Sequence, residues 1–288
     1  MAHLSADMML VIFAGCLGAI IGSFANVIIH RLPRMLEHSW MREASAATET
    51  SFSVPAPPNL FTPRSHCPDC ERTLRWWQNI PMLSYLILRG RCKWCNSPIP
   101  LRYLVVEFTM ASWFAGYVAT HEASQLSTWF WPFWGAVLLT LAIIDWRTFL
   151  LPDSLTLGLL WTTLIATALG VLPISSSDAI LGAGLGYLVL FLPAWLFQQV
   201  TGRTGMAHGD FKLMAAVGAA SGPIPVFFIL LLASLLGIAL AWFGRQWLPA
   251  PSEVGASGME SRAIPFGPMI VFAALVNLVW PIERLALQ

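Results

Sequence analysis

Long apolar blocks, separated by short segments that carry nearly all of the charge, leave this chain few folds to choose from. A helix that crosses a bilayer needs about 20 mostly apolar residues. Blocks of that kind lie at roughly 8–30, 103–120, 128–145, 154–172, 179–200, 226–243 and 264–283. A shorter apolar piece, 211–222, sits between Asp210 and the Pro223/Pro225 pair. Composition agrees: 57% of residues are hydrophobic and 11% charged, against about 25% charged in a soluble domain. The first block has no Lys or Arg ahead of it and no small-residue cleavage site close behind. It therefore reads as a retained membrane anchor rather than a signal peptide. A net charge of +1 gives no basic field for nucleic acid.

The cations decide between seven spans and eight. With the N-terminus outside, an eight-span chain places segments 31–102, 146–153, 201–212 and 244–263 on the cytoplasmic side, and these hold 10, 1, 2 and 2 of the 16 Lys and Arg residues. Arg284 alone falls outside, as the positive-inside rule requires. Seven spans would move either Arg245 and Arg262 or the basic 31–102 segment outside. The expected fold is an all-α polytopic membrane protein of about eight transmembrane helices. Its expected division is a first helix at 1–30, a cytoplasmic loop domain at 31–102 and a helical membrane domain at 103–288. Within the loop, 37–64 is rich in Ser, Ala, Thr and Pro, which predicts loose order.

That loop carries Cys67-Pro-Asp-Cys70 and Cys92-Lys-Trp-Cys95. Two CxxC pairs at this separation are the ligand pattern of a four-cysteine zinc site. Arg64, Arg72, Arg91 and Lys93 around them favour the thiolate form. Two disulfides are the alternative, disfavoured in a loop expected to face a reducing compartment. Four thiolates leave zinc no open position, so the expected role is structural. Cys16, inside the first block, reads as a small buried apolar residue.

Two acids stand at span ends. Asp145 closes the uncharged run from Leu138 to Ile144, and Asp210 opens the short 211–222 piece after Ala207-His208-Gly209. In the eight-span topology both lie on the cytoplasmic side. Acids at membrane depth are costly and are functional suspects by default. Two carboxylates brought together cannot both stay ionised, so one holds a proton while the other acts as base. That is the apparatus by which an aspartyl protease activates water. The competing readings are an N-cap for Asp210 and an ion pair with Arg147 for Asp145. Asp153 and Asp178 each precede an apolar block and read as N-caps; Glu107 reads as a structural pair with Arg102 or another helix.

Several motifs in order resemble the type IV prepilin peptidases, the prepilin leader peptidase/N-methyltransferases. They are Gly22-Ser-Phe-Ala-Asn-Val-Ile-Ile-His-Arg-Leu-Pro33, Ser65-His-Cys-Pro-Asp-Cys70, Asn79-Ile-Pro-Met-Leu-Ser-Tyr-Leu-Ile-Leu-Arg-Gly90 and Cys92-Lys-Trp-Cys95. Arg102-Tyr-Leu-Val-Val-Glu107, Asp145-Trp-Arg-Thr-Phe-Leu-Leu-Pro-Asp153 and Gly209-Asp-Phe-Lys-Leu213 complete the series. The resemblance implies catalytic aspartates at Asp145 and Asp210, the second within a Gly-x-Gly-Asp motif whose first glycine is Ala207 here. It implies cleavage of the basic leader of prepilins or pseudopilins at the cytoplasmic face of a bacterial inner membrane. It also implies methylation of the new N-terminus with S-adenosylmethionine. No residue is assigned to that cofactor; the 31–102 loop and the first-span motif are the expected neighbourhood, and no Gly-rich loop after a strand marks a Rossmann-type site. The competing functions are a transporter using the acids as ion sites, or an assembly scaffold, each with a zinc-bound cytoplasmic domain. Acids at span ends and the lack of paired halves argue against the transporter.

Overall fold

The computed structural model describes residues 2–48, 55–243 and 264–281. Arg245, Arg262 and Arg284, which entered the charge count, lie outside the described residues. Within them the chain is all helical, with no strand and only two isolated backbone bridges. Each apolar block of the sequence appears as a helix. Among the described residues four helices are long and apolar enough to cross a membrane: α1 (Ala2–Ala47), α4 (Leu126–Thr148), α6 (Ser176–Thr201) and α8 (Pro223–Phe243). The chain divides into two compact units, Met1–Ala136 and Val137–Gln288, and α4 runs through the division.

In the first unit, α1 extends over Ala2–Ala47, well past the expected end near residue 30. Pro33 lies inside it and removes one helical N–H. The helix continues because Arg34-Met35-Leu36-Glu37 and the alanines near Ala47 are good helix formers, whatever their hydropathy. Part of the segment expected to be loosely ordered is therefore helix. Residues 55–64 have no regular structure, and 49–54 lie outside the described residues. Beyond them come a 3₁₀ turn (Trp76–Asn79), the short α2 (Leu83–Ile87) and α3 (Arg102–Thr120).

Small residues let α1 lie directly on α3. A methyl group at Gly22 would stand 2.8 Å from the Glu107 Cα, and one at Gly18 would stand 2.9 Å from the Phe114 Cβ. This is the close backbone approach that glycine allows between membrane helices. Asn26 Nδ2 donates to the Tyr103 carbonyl at 3.2 Å across the same contact. The loop is tied to both helices. Arg31 donates to the carbonyls of Asn59 and Pro63 at 2.7 and 2.9 Å. Glu107, buried on α3, accepts the Met82 N–H at 2.7 Å. Its partners are thus the loop backbone and Ser23 of α1, so of the two expected pairings the one with another helix is found. Met82 has a positive φ of 58°, a backbone state that costs energy without glycine. Cys16, expected to be buried, is exposed on α1, because the face that meets α3 carries Gly18 and Gly22 instead.

The second unit is built on α7 (His208–Ser221). At about 1.5 Å per residue, its 14 residues are shorter than the about 20 of an ordinary lipid-facing span. They are instead almost wholly enclosed: Leu213, Met214, Ala216 and Val217 are fully buried. Helices α5 (Asp153–Ala168), α6, α8 and α9 (Gly267–Val279) surround them. A helix apolar on every side belongs in a core. The outer faces of α6 and α8 show Ile180, Leu181, Leu188, Phe227, Leu231 and Leu235. Apolar exposure on this scale is the surface of a membrane protein rather than a soluble one.

Candidate functional site

The four-cysteine centre of the first unit is formed by two nearly identical turns. In one, Cys67 C=O accepts the Glu71 N–H at 2.9 Å and Cys67 N–H donates to Arg72 C=O at 3.1 Å. In the other, Cys92 C=O accepts the Asn96 N–H at 3.1 Å and Cys92 N–H donates to Ser97 C=O at 2.9 Å. The residue after the second cysteine has positive φ in both, 57° at Glu71 and 58° at Asn96. The turns face each other, with Cys67 and Cys95 Sγ 3.7 Å apart and Cys70 and Cys92 Sγ 4.0 Å apart. All four sulfurs lie within 4.8 Å of one another and can hold a metal ion. A tetrahedron with metal–sulfur bonds of about 2.3 Å puts its sulfurs about 3.8 Å apart, so the donor set fits zinc. A disulfide would need about 2.0 Å, and the cysteines are free.

The electrostatics suit a cation. Burial pushes the Cys67 thiol up, but hydrogen bonds from the Cys70 and Asp69 backbone and the Ser97 hydroxyl outweigh it and bring it down to about 6. Cys70 goes the other way. The Arg72 backbone favours its thiolate, but burial and the neighbouring Cys95, Cys67 and Cys92 sulfurs together push it up to about 11. Sulfurs this close cannot all ionise without a positive charge between them, and a metal supplies it. Lys93 lies 4.9 Å over the Trp77 ring and fastens the second turn to the 3₁₀ turn.

The second unit holds the two acids. Asp145 lies one turn from the C-terminal end of α4 and is 5% exposed; Asp210 lies in the first turn of α7 and is 6% exposed. Asp145 meets the start of α9, and α9 packs against α7, whose first turn carries Asp210, so both acids are buried among the same packed helices. Asp145 Oδ2 accepts the Gly267 N–H at 3.0 Å. Among the described residues, Asp210 Oδ1 is fully buried with no hydrogen-bond partner.

The N-cap of α7 is Ala207, and no side chain caps the helix, so the capping alternative for Asp210 fails. Ala207 sits at φ −77°, ψ 144°, extended backbone that any residue adopts. The methyl that replaces the family's glycine is therefore accommodated without strain. Asp153 is not a cap either: Pro152 holds that position, and the Asp153 carboxylate receives Lys212 Nζ at 2.7 and 2.6 Å. At α6, Ser175 is the cap, accepting the Asp178 N–H at 3.1 Å and donating its hydroxyl to Asp178 Oδ2 at 2.6 Å. Gly267 was not foreseen as part of the site. A Pro-Phe-Gly-Pro run ahead of the last apolar block marks a helix start, but nothing in it names a carboxylate partner.

Comparison with known proteins places both units. The family described as Bacterial Peptidase A24 N-terminal domain matches residues 16–121, and the Type IV leader peptidase family matches residues 133–242. A protein of Stutzerimonas stutzeri named prepilin leader peptidase/N-methyltransferase is 41% identical over 94% of this chain and 90% of its own length. Proteins of the same name from Aeromonas hydrophila and Pseudomonas aeruginosa are 42% and 41% identical. They cover 90% and 92% of this chain and 87% and 88% of their own lengths. No solved structure matches. Matched in order by both families, and in nearly full length by such relatives, the chain belongs to the type IV leader peptidases with a bacterial A24 N-terminal domain.

Proposed function

We propose that the chain is a bifunctional prepilin leader peptidase and N-methyltransferase, with Asp145 and Asp210 as its catalytic pair. One observation carries the peptidase assignment: two acids are buried among the same packed helices, and Asp210 Oδ1 has no hydrogen-bond partner among the described residues. One acid holds a proton and the other is ionised. The ionised member takes a proton from a water, which attacks the scissile carbonyl. The protonated member donates to the carbonyl oxygen as charge develops there. Collapse of the tetrahedral intermediate breaks the C–N bond, and the proton taken from water passes to the leaving amine. A basic leader followed by an apolar helix would present its scissile bond at the depth of span ends, where both acids lie.

The remaining assignments follow the same reading. Cys67, Cys70, Cys92 and Cys95 hold one zinc ion, which fixes the loop and leaves no position for substrate. S-adenosylmethionine, when bound, supplies the methyl group for the amine that cleavage releases. No strand–glycine turn–helix cradle for it occurs among the described residues. The chain sits in the bacterial inner membrane with eight spans, counting α3, α5, α7 and α9 with the four long helices. Its cytoplasmic side carries the loop and both acids; its partners are prepilins or pseudopilins and membrane lipid, not nucleic acid. The test is incubation of purified protein with a prepilin. Wild type should give the shortened product, and Asp145→Asn and Asp210→Asn should each give none while staying inserted and abundant. Cleavage by either variant at a substantial rate would defeat the mechanism.

A further inference from the structure

We propose that the backbone N–H of Gly267, at the start of α9, is the group that positions Asp145 for catalysis, and that residue 267 must be glycine for this reason. The proposal rests on the catalytic assignment above and adds a third element to it.

Asp145 is badly placed by its own helix. It lies one turn from the C-terminal end of α4, where the helix dipole is negative and the local backbone offers carbonyls rather than donors. Asp210 is in the opposite situation, in the first turn of α7 at the positive end. A buried carboxylate near a helix C-terminus needs a donor from elsewhere, and α9 provides one. Gly267 is the first residue of α9, and first-turn N–H groups have no partner within their own helix. Pro268 has no N–H, and the Met269 and Ile270 N–H groups both go to the Phe266 carbonyl at 3.1 and 3.2 Å. The Gly267 N–H is the donor left over, and it reaches Asp145 Oδ2 at 3.0 Å, with both residues buried.

The side-chain requirement is equally direct. A Cβ at position 267 would stand 2.7 Å from Asp145 Oδ2 and 3.2 Å from its Cγ. The obstacle is the carboxylate itself, so any larger residue must push aside the group it is meant to hold. With Asp145 Oδ2 fixed by the α9 N-terminus, Asp210 Oδ1 is a fully buried oxygen of the pair without a partner among the described residues. That leaves it for the water, the shared proton or the substrate carbonyl.

The test compares Gly267→Ala with Gly237→Ala. The second adds the same methyl on α8, where its nearest neighbour is the Phe266 ring at an ordinary 3.7 Å. Misplacing a catalytic group by about 1 Å costs on the order of 100-fold in rate. Gly267→Ala should lower kcat for leader cleavage by roughly 10- to 100-fold with KM within about twofold, while Gly237→Ala keeps wild-type kcat. Unchanged kcat in Gly267→Ala, or an equal loss in Gly237→Ala, overturns the proposal. A second measurement holds if Gly267→Ala does not fold. Hydrogen exchange of the peptide containing residues 264–268 should speed up in full-length Asp145→Ala relative to wild type, because the Gly267 N–H loses its acceptor. Unchanged exchange there overturns the proposal. That measurement reads the hydrogen bond without catalysis, so its failure is distinguishable from failure of the aspartyl mechanism.

Discussion

Asp153 and Lys212 separate chemistry from mere charge at the residue scale. Both lie close in sequence to the proposed catalytic pair, yet their side chains are 58% and 28% exposed and satisfied by one another. An exposed pair of this kind contributes under about 1 kcal/mol. Asp153→Asn should therefore retain substantial leader cleavage in the same gel assay in which Asp145→Asn and Asp210→Asn retain none. Loss of cleavage in Asp153→Asn would place it in the machinery and require a different account of the site. The two buried acids were legible in the sequence because a charge at the end of a long uncharged run is costly without a purpose. The cysteines were legible because two CxxC turns at one spacing admit few uses. Gly267 was not legible, since the group that matters is a backbone N–H meeting an acid 122 residues away. The partner of Asp153 was hidden for the same reason: local spacing offers a cap, and the fold supplies Lys212. For Glu107 the spacing offers Arg102 or another helix, and the fold supplies Ser23 of α1 and the Met82 N–H.

At the scale of elements, Asp210 is held by the contact between α6 and α7. A methyl at Gly182 would run into the Gly218 carbonyl, one at Gly218 into the Gly182 carbonyl, and one at Gly186 into the Met214 carbonyl. Backbones this close leave no side chain that can give way. Gly182→Leu should force α7 off α6, lower the unfolding temperature and cut cleavage together, with overpacking costing roughly 1–3 kcal/mol. Gly184→Leu, on the same helix with nothing within 4 Å of its Cβ, should leave both unchanged. Equal behaviour of the two variants in thermal unfolding would show that the interface does not depend on glycine. The metal loop gives a second prediction. Purified protein should contain about one zinc per chain by elemental analysis, and Cys67→Ser or Cys92→Ser should lose most of it and loosen the loop to protease, because binding energy at such a site is folding energy. A metal-free protein with four freely reactive thiols would exclude the site. The helices themselves were easy to read from apolar block lengths. Their ends were harder: α1 runs on to Ala47 because helix propensity does not stop where the bilayer does.

At the scale of the whole molecule, the membrane does what a larger core does in a soluble protein. Of the four helices long and apolar enough to span, α1, α6 and α8 are mostly exposed within the protein, and only lipid can cover their outer faces. The shorter α7 is buried by its neighbours instead, which is how a 14-residue segment carrying an acid can lie at membrane depth. Charge then sets the orientation. Segment 31–102 holds 10 of the 16 cations, and within it Arg31 fastens the loop to α1 through two carbonyls. Arg147 lies in the last turn of α4 and Arg203 just after α6, so an eight-span path puts them on the same side of the membrane as that loop. Single cysteines placed at 58, 147 and 203 should react with an impermeant maleimide only after the cells are opened, and cysteines at 122 and 125, between α3 and α4, should react in intact spheroplasts. The native cysteines bear on the reading: Cys16 is exposed on α1 but faces lipid in this arrangement, and the other four are placed to hold a metal ion. Labelling of position 58 from outside would reverse the orientation. It would put the four thiols in an oxidising compartment, where the two-disulfide alternative regains its force, and it would move both acids to the face opposite the one where a basic leader is held by the positive-inside rule.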